Sequence, residues 1–192
     1  MNDRLFTFAG GKTGAWRIVR TVLVAGEPLP AAECLDVSHG MPQQDAPGTL
    51  WRLRGIRSNE RYTIRDEKAR LTAKQEGLGR PESTHAALIP IRKNASWWAL
   101  PQDERRKVFE EKSKHVNIGL QFLPAIARRL LHCRDLGENE PFDFLTWFEY
   151  APSDEKAFDR LVVELRNTEE WTFVDREIDI RLVRASGGED GD

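Results

Sequence analysis

Residues 142–184 read FDFLTWFEYAPSDEKAFDRLVVELRNTEEWTFVDREIDIRLVR, and they hold the clearest secondary-structure pattern of the chain. The first nine, 142–150, are aromatic and apolar, which is typical of a buried strand. Residues 153–171 repeat apolar side chains at helical spacing after Ser153, a residue type that caps helices. Residues 176–184 alternate between charged and apolar side chains, which predicts a second strand. The end of the chain therefore has an α+β pattern.

The N-terminal part of the chain adds further strands. We predict strands at 14–25, 49–57 and 87–93, where Trp, Ile, Val and Leu are frequent. Residues 27–48 contain four prolines, so we predict an irregular surface excursion with one helical turn at most. Residues 60–76 alternate like a strand but are rich in helix-forming charged residues, and both interpretations stay open.

A helix is predicted at 100–115, because Pro101 stands near its start and Val108 and Phe109 form an apolar face. An apolar stripe at helical spacing continues from His115. Pro124 should end this second helical segment near Leu123, because proline has no backbone N–H to donate.

The composition describes an ordinary globular protein. The chain has 192 residues, of which 40% are hydrophobic and 31% charged, and its formal net charge is −2. There is no basic excess to favour nucleic acid, no apolar run long enough to span a membrane, and no apolar secretory segment at the start. The two cysteines have no metal-ligand spacing. We expect a cytoplasmic protein without a zinc site or a disulfide.

The order of strands and helices suggests two ferredoxin-like halves in tandem rather than a doubly wound parallel sheet. The expected boundaries are 1–93 for the N-terminal half and 94–184 for the C-terminal half. Residues 185–192, ASGGEDGD, are expected to be a disordered tail.

Few side chains point to chemistry. The sequence has no Gly-rich phosphate loop between a strand and a helix, no HExxH, no GxSxG and no CxxC. His115 differs from the other histidines because it stands at the head of the apolar stripe of Ile118, Phe122 and Ile126. A histidine in this position is either a buried structural residue or a ligand, and spacing alone does not decide between them.

Four long motifs carry a resemblance to a known family. They are WWALPQDERRKVFEEKSKH at 97–115, LPAIARRLLHCRDLGE at 123–138, FDFLTWFEYAP at 142–152 and LRNTEEWTFVDREIDIRL at 165–182. Together they resemble the short, dimeric branch of the chlorite dismutase family. The resemblance implies a homodimeric haem b enzyme of two ferredoxin-like halves, with haem in the C-terminal half. Such an enzyme decomposes chlorite to chloride and dioxygen through a ferryl intermediate and transient hypochlorite.

The resemblance implies a proximal haem ligand and its partner. The histidine of the KSxH motif, here His115, would bind the iron, since imidazole is a good iron ligand. A glutamate of the TEEW motif would accept the second ring N–H of that histidine. We assign Glu170, with Glu169 as the alternative.

The resemblance also implies a catalytic pair on the distal side of the haem. The arginine of the AIARxL motif, Arg128, would hold the anionic substrate, and Gln75 would orient it. Arg128 follows His115 by 13 residues, roughly 20 Å along a continuous helix, so the break at Pro124 is needed to bring it over the haem. The neighbouring Arg129 is expected to face solvent or an ion pair.

Five more residues occupy haem-contacting positions of the family. Lys93 would neutralise a propionate, and Trp97 and Trp98 would pack at the haem edge. Leu123 and Phe148 would form apolar walls of the distal pocket.

Two alternatives stay open at this point. One is a coproheme decarboxylase, an enzyme of the same superfamily that uses a tyrosine; this chain offers Tyr62 and Tyr150. The other is a non-catalytic α+β dimer that binds haem or another small ligand without turnover.

Overall fold

An eight-stranded antiparallel barrel forms the centre of the molecule. The computed structural model describes residues 4–42, 46–58, 64–74, 76–137 and 139–185. In ring order the barrel runs β1-β3-β2-β8-β5-β7-β6-β4. The strands are β1 (Leu5–Gly11), β2 (Trp16–Ala25), β3 (Cys34–His39), β4 (Trp51–Ile56), β5 (His85–Lys93), β6 (Ala127–His132), β7 (Phe144–Tyr150) and β8 (Val174–Arg184).

Short helices connect the strands. The α-helices are α1 (Arg65–Lys74), α2 (Ala95–Ala99), α3 (Gln102–Arg106), α4 (His115–Gln121) and α5 (Glu155–Arg166). A π-helical turn at Lys107–Lys112 continues α3, and 3-10 turns cover Pro152–Asp154 and Glu169–Phe173. None of the described helices has the length and apolar content needed to span a bilayer.

Two large hydrophobic cores stabilise this arrangement, and a small third one of Leu71, Val116 and Leu120 lies between α1 and α4. Inside the barrel, aromatic and aliphatic side chains such as Phe8, Trp147 and Ile180 are almost fully buried. Outside it, α5 covers the opposite face of β5 and β7 through residues such as Phe158 and Ile89. Burial at roughly 25 cal/mol per Å² makes both layers strongly stabilising. The second core is where a site between sheet and helices can form.

The predicted C-terminal pattern is confirmed, because β7, α5 and β8 lie where the sequence placed a strand, a helix and a strand. The predicted cap is wrong. Ser153 lies inside a 3-10 turn, and α5 has Asp154 as its N-cap with no side-chain bond. The N-terminal prediction of an irregular segment at 27–48 is wrong for Cys34–His39, which forms β3. This strand pairs with both β1 and β2, so tertiary pairing overrides the local prolines.

The ambiguous segment is helical at Arg65–Lys74. Strand β1 was not predicted, although its residues are buried and pair with β3 and β4. The helix expected at 100–115 is interrupted before its end, because Lys114 has a left-handed backbone with φ 53°. A new helix, α4, starts at His115. Of the tail, residues 186–192 lie outside the described part of the chain.

The turn at Pro124 has the predicted consequence. Helix α4 ends at Gln121, the chain turns through 122–126, and β6 starts at Ala127. Arg128 therefore lies on a strand of the barrel and not on the helix of His115.

Candidate functional site

A cavity of about 620 Å³ lies between the barrel and the helices that cover it. This volume falls in the range of roughly 300–1,000 Å³ that suits a small molecule or cofactor. Its apolar walls come from strands β5 and β7 and from α5, namely Ile89, Ile91, Phe148, Val162 and Leu165. His115 and Arg128 both line it. The motif residues are therefore brought together although they come from different elements.

His115 is fixed by a buried carboxylate. Its Nδ1 lies 2.7 Å from Oε2 of Glu170, which leaves Nε2 as the ring nitrogen available to a ligand. Glu169 is in contrast 45% exposed and pairs with Lys112. The geometry thus brings Glu170, and not Glu169, to the histidine.

Glu170 makes three further hydrogen bonds, with two partners. Its Oε1 accepts a bond of 2.9 Å from Nζ of Lys93, its carbonyl accepts one of 3.2 Å from the same ammonium, and its backbone N–H donates to Oγ of Ser113 at 2.9 Å. Burial raises the pKa of the Glu170 carboxyl, but the charges of His115 and Lys93 outweigh burial and lower that pKa to about 2. The carboxylate stays ionised at neutral pH.

Lys93, which the resemblance placed at the haem edge, directs its ammonium to Glu170 in this structure. Its ammonium is buried on Glu170 and lies 4.8 Å above the ring of Trp97. A buried ammonium needs a counter-charge, and the carboxylate supplies it. The propionate role expected for Lys93 is not what this geometry favours; the side chain holds Glu170.

Two aromatic rings lie parallel to the imidazole of His115. The ring centroid of Phe109 is 4.4 Å away with an interplanar angle of 22°, and that of Trp171 is 6.3 Å away with an angle of 20°. Trp171 is itself held by a hydrogen bond from its Nε1 to Oε2 of Glu177 at 2.7 Å. Together with Glu170, these contacts restrict the orientation of the histidine ring.

Arg128 reaches the cavity from β6, where it pairs with Phe148 of β7. Its guanidinium lies against Gly119, so that a β-carbon at this glycine would be 3.0 Å from Nη1. Gly119 lies one helical turn after His115, and residues four apart share a helix face. The arginine thus extends from the sheet wall toward the helix that carries the histidine.

Of the other residues predicted for the site, some line the cavity and others do not. Trp97 and Phe148 line the cavity. Trp98 and Leu123 are not among its lining residues: the indole of Trp98 donates to Asp143, and Leu123 packs with the small core of Leu71, Val116 and Leu120. Gln75 lies outside the described residues, and its predicted role stays a prediction.

Of the two tyrosines, Tyr150 does not line the cavity. Tyr150 is buried and stacks on Phe158 in the core between sheet and helices. Tyr62 lies outside the described residues. Since no tyrosine lines the cavity among the described residues, the geometry of this part of the chain does not favour the decarboxylase alternative.

The sequence analysis did not predict several residues that belong to the site. Phe109 and Ser113 precede His115 in the same segment, but the left-handed Lys114 breaks the helical periodicity that would have revealed a shared face. Arg4, Arg57 and Lys68 also line the cavity. They come from the N-terminal part of the chain, so only the tertiary fold connects them with the site.

An imidazole held by a carboxylate, in a mostly apolar cavity that also receives a guanidinium, defines a class of protein. It suits an enzyme with a prosthetic group that needs one protein ligand, acting on a small anion. The chain belongs to the chlorite dismutase family, whose sequence profile matches residues 50–185.

Known relatives agree with this assignment. A dimeric chlorite dismutase from Nitrobacter winogradskyi is 55% identical, with a TM-score of 0.86 over 94% of this chain and 99% of that one. The chlorite dismutase of Ideonella dechloratans is 36% identical over 85 residues, which is 44% of this chain but only 27% of that protein.

A third relative shows the fold alone. The chlorite dismutase of Candidatus Nitrospira defluvii, solved in complex with imidazole, has a TM-score of 0.67 at 20% identity, over 94% of this chain and 91% of that one.

Proposed function

We propose that this protein binds haem b and decomposes chlorite to chloride and dioxygen. The observation that carries the proposal is the convergence of the His115–Glu170 pair and Arg128 on one cavity. It is supported by 55% identity over nearly the whole chain to a dimeric chlorite dismutase. The reaction balances without a reductant, because both oxygen atoms of the product are present in chlorite.

The residues present fit a haem. Nε2 of His115 would bind the iron, and Glu170 would accept the Nδ1 proton and give the imidazole anionic character. Lys93 would keep that carboxylate in place. When bound, the haem supplies an iron centre at which the O–Cl bond of chlorite can be broken.

Arg128 would bind the anions of the reaction. Its planar guanidinium offers parallel N–H donors to chlorite and to hypochlorite, and its charge is permanent. The apolar side chains of Phe148 and Ile89 would exclude water, so that hypochlorite stays in the cavity until the O–O bond forms.

We further infer that the barrel consists of two ferredoxin-like halves, which the sequence predicted as 1–93 and 94–184. The strand order supports two halves, since β4-β1-β3-β2 and β8-β5-β7-β6 are two arcs of the ring with the same internal order. Because β5 (His85–Lys93) belongs to the second arc, we place the boundary before His85 rather than after Lys93. The haem would belong to the second half, which supplies His115, Glu170 and Arg128.

We infer a homodimer as well. The relative from Nitrobacter winogradskyi is dimeric, and strand β2 exposes apolar side chains, including Val19 and Leu23, that a second copy could cover. Analytical ultracentrifugation should give twice the chain mass at micromolar concentration. A monomer or a pentamer would contradict the inference.

The function is tested by loading the full chain with haem and adding chlorite. We expect a Soret band, oxygen release detected by an electrode, and loss of haem binding in His115→Ala. His39→Ala is the matched control, because His39 is an exposed histidine of β3. Haem retention by His115→Ala at the wild-type affinity would contradict the ligand assignment. Haem binding without oxygen release would support a non-catalytic haem protein instead.

A further inference from the structure

A second cavity, of about 280 Å³, lies next to the cavity of His115. Aromatic side chains of the barrel interior form most of its wall, among them Phe6, Phe8 and Trp147. The two cavities share the lining residues Leu78 and Arg129. They therefore adjoin at these two side chains.

The geometry of β6 explains why Arg129 reaches both cavities. Successive side chains of a strand point to opposite faces, so Arg128 and Arg129 diverge. Arg128 pairs with Phe148 on the face toward the helices, whereas Arg129 pairs with Trp147 of the barrel interior. Within the described residues, β6 meets β4 at one paired position only, His132 with Ile56. In the ring, β6 and β4 are neighbouring strands.

Arg129 is half-buried and has no acidic partner in an ion pair among the described residues. Its guanidinium carbon lies 4.5 Å from the ring centroid of Phe6. Glu149 lines the same small cavity, but its carboxylate already accepts bonds from Nε1 of Trp147 at 2.9 Å and from the N–H of Gly79 at 2.6 Å. The expectation that Arg129 faces solvent or an ion pair holds only in part, because the side chain is half-buried, lines both cavities and has no ion pair among the described residues.

Arg57 supplies a second cation in the wall of the larger cavity, which Arg129 lines as well. Burial lowers the pKa of Arg129, and the charge of Arg57 lowers it further. The backbone of Arg57 is fixed by two bonds with Arg4: its carbonyl accepts from Nε of Arg4 at 2.6 Å, and its N–H donates to the carbonyl of Arg4 at 2.8 Å. Its exposed side chain lines the larger cavity and has no ion pair within the described part of the chain.

The acidic residues of the larger cavity do not neutralise these cations. Glu76 pairs with Arg80 at 2.7 Å, and Glu177 accepts bonds from Arg166 at 2.7 Å and 2.9 Å. Glu170 is bound to His115 and Lys93, as described above. Glu149 keeps its negative charge, which raises the pKa of Arg129 in opposition to burial. Among the described residues at the junction, the two charges of Arg57 and Arg129 still outnumber that of Glu149, and a net positive charge beside a half-buried arginine attracts anions.

We propose that Arg57 and Arg129 form a second anion site, at the junction of the two cavities, which a small inorganic monoanion occupies before it reaches Arg128. The site itself follows from the two guanidinium groups. That the anion is chlorite on its way to the haem rests on the proposed function. Weak binding there would raise the local anion concentration and the rate of encounter with Arg128.

Bromide is a suitable probe of the site itself. In crystals of the haem-loaded protein soaked in bromide, anomalous scattering should locate an ion between Arg57 and Arg129. The ion should be absent in the double variant Arg57→Gln, Arg129→Gln. Bromide on other surface sites only, or a bromide here that persists in the double variant, would overturn the proposal. This test does not depend on chlorite turnover, so it decides on the site even if the proposed function fails.

The role in the reaction is tested by kinetics against ionic strength. Arg57→Gln should lower kcat/KM for chlorite by about threefold to tenfold at low salt, with kcat unchanged. The difference should vanish near 1 M salt, where the Debye length is about 3 Å. Arg160→Gln is the matched control, because it removes an equal charge from an exposed arginine of α5 that lines neither cavity.

A conservative variant separates charge from folding. Arg129→Gln removes a half-buried side chain and can perturb packing on Phe6, whereas Arg129→Lys keeps the charge. We expect Arg129→Lys to keep most of the wild-type kcat/KM and its salt dependence. An unchanged kcat/KM and salt dependence in both Arg57→Gln and Arg129→Gln would overturn the proposed role.

Discussion

The guanidinium of Arg128 lies against Gly119, with Nη1 3.0 Å from the position of a β-carbon on that glycine. Gly119 is buried and stands one helical turn after His115, the proposed iron ligand. The absence of a side chain at this point of α4 therefore gives the arginine its room. The relationship links the anion-binding residue to the helix that carries the histidine.

Gly119→Ala should displace Arg128 without harming the fold. Alanine is favoured over glycine inside a helix by about 0.5–1 kcal/mol, while the added methyl group forces the guanidinium to move by a few tenths of an ångström. We expect an equal or higher melting temperature together with a lower oxygen yield per chlorite. Calorimetry and an oxygen electrode measure the two effects. A full oxygen yield would show that the contact with Gly119 does not position Arg128.

Arg128→Ala tests whether the guanidinium retains hypochlorite. If retention is its main role, this variant should still cleave chlorite but release more hypochlorite to solvent, and it should inactivate sooner. Oxygen yield and trapped hypochlorite, measured for both proteins, decide the point. Arg128→Lys keeps the positive charge, so its oxygen yield should lie between those of the wild type and Arg128→Ala. Complete loss of cleavage from the outset would instead assign Arg128 to the first bond-breaking step.

Glu170→Gln should keep the shape of the site but remove the negative charge behind His115. A less anionic imidazole stabilises ferric iron less, so the midpoint potential of the haem should rise. Leaving Lys93 buried without its counter-charge should also cost about 3 kcal/mol of stability. Spectroelectrochemistry measures the potential. Glu169→Gln is the control, since Glu169 is partly exposed and forms an ion pair with Lys112. A shift of the midpoint potential in this control alone would assign the role of histidine partner to Glu169.

Stability should fall in acid because of a carboxylate beneath α5. Burial raises the pKa of Asp179, but its hydrogen bond from Nε of Arg181, at 2.5 Å, and the charges of Arg181 and Arg166 lower that pKa below its ordinary value of 3.8. A folded-state pKa below the unfolded value contributes stability at higher pH, and this contribution is lost as the pH falls through the folded pKa.

The free energy of unfolding, measured with urea between pH 7 and pH 3, should therefore decrease below about pH 4. Asp179→Asn should weaken this dependence and lower stability at pH 7. Asp159→Asn, at a half-exposed partner of Arg181, should change both much less. An identical pH dependence in wild type and Asp179→Asn would contradict the assignment.

The C-terminal half of the fold could be predicted because its local pattern and its tertiary role agree. Strand β7, helix α5 and strand β8 follow the apolar periodicity directly. Strand β3 could not be predicted in this way, since the prolines around it indicate a loop and only pairing with β1 and β2 stabilises it. The positions of Lys114 and Ser153 depend on backbone geometry that periodicity does not encode.

The contacts of the candidate site were likewise predictable only in part. The His115–Glu170 contact matches the motif-based prediction, because each residue is specified by its own short motif. The roles of Lys93, Trp98 and Leu123 depend on which neighbour each side chain meets, and here the motif gave the position but not the contact. Arg57 and Arg129 come from distant parts of the sequence, and only the folding of the barrel brings them to one cavity.

The most direct test of the central claim uses chlorite labelled with heavy oxygen in unlabelled water. If the haem-loaded protein joins the two oxygen atoms of one chlorite ion, mass spectrometry should detect doubly labelled dioxygen, with one molecule released per chlorite consumed. Dioxygen that contains oxygen from water, or chlorite consumption without dioxygen, would contradict the account.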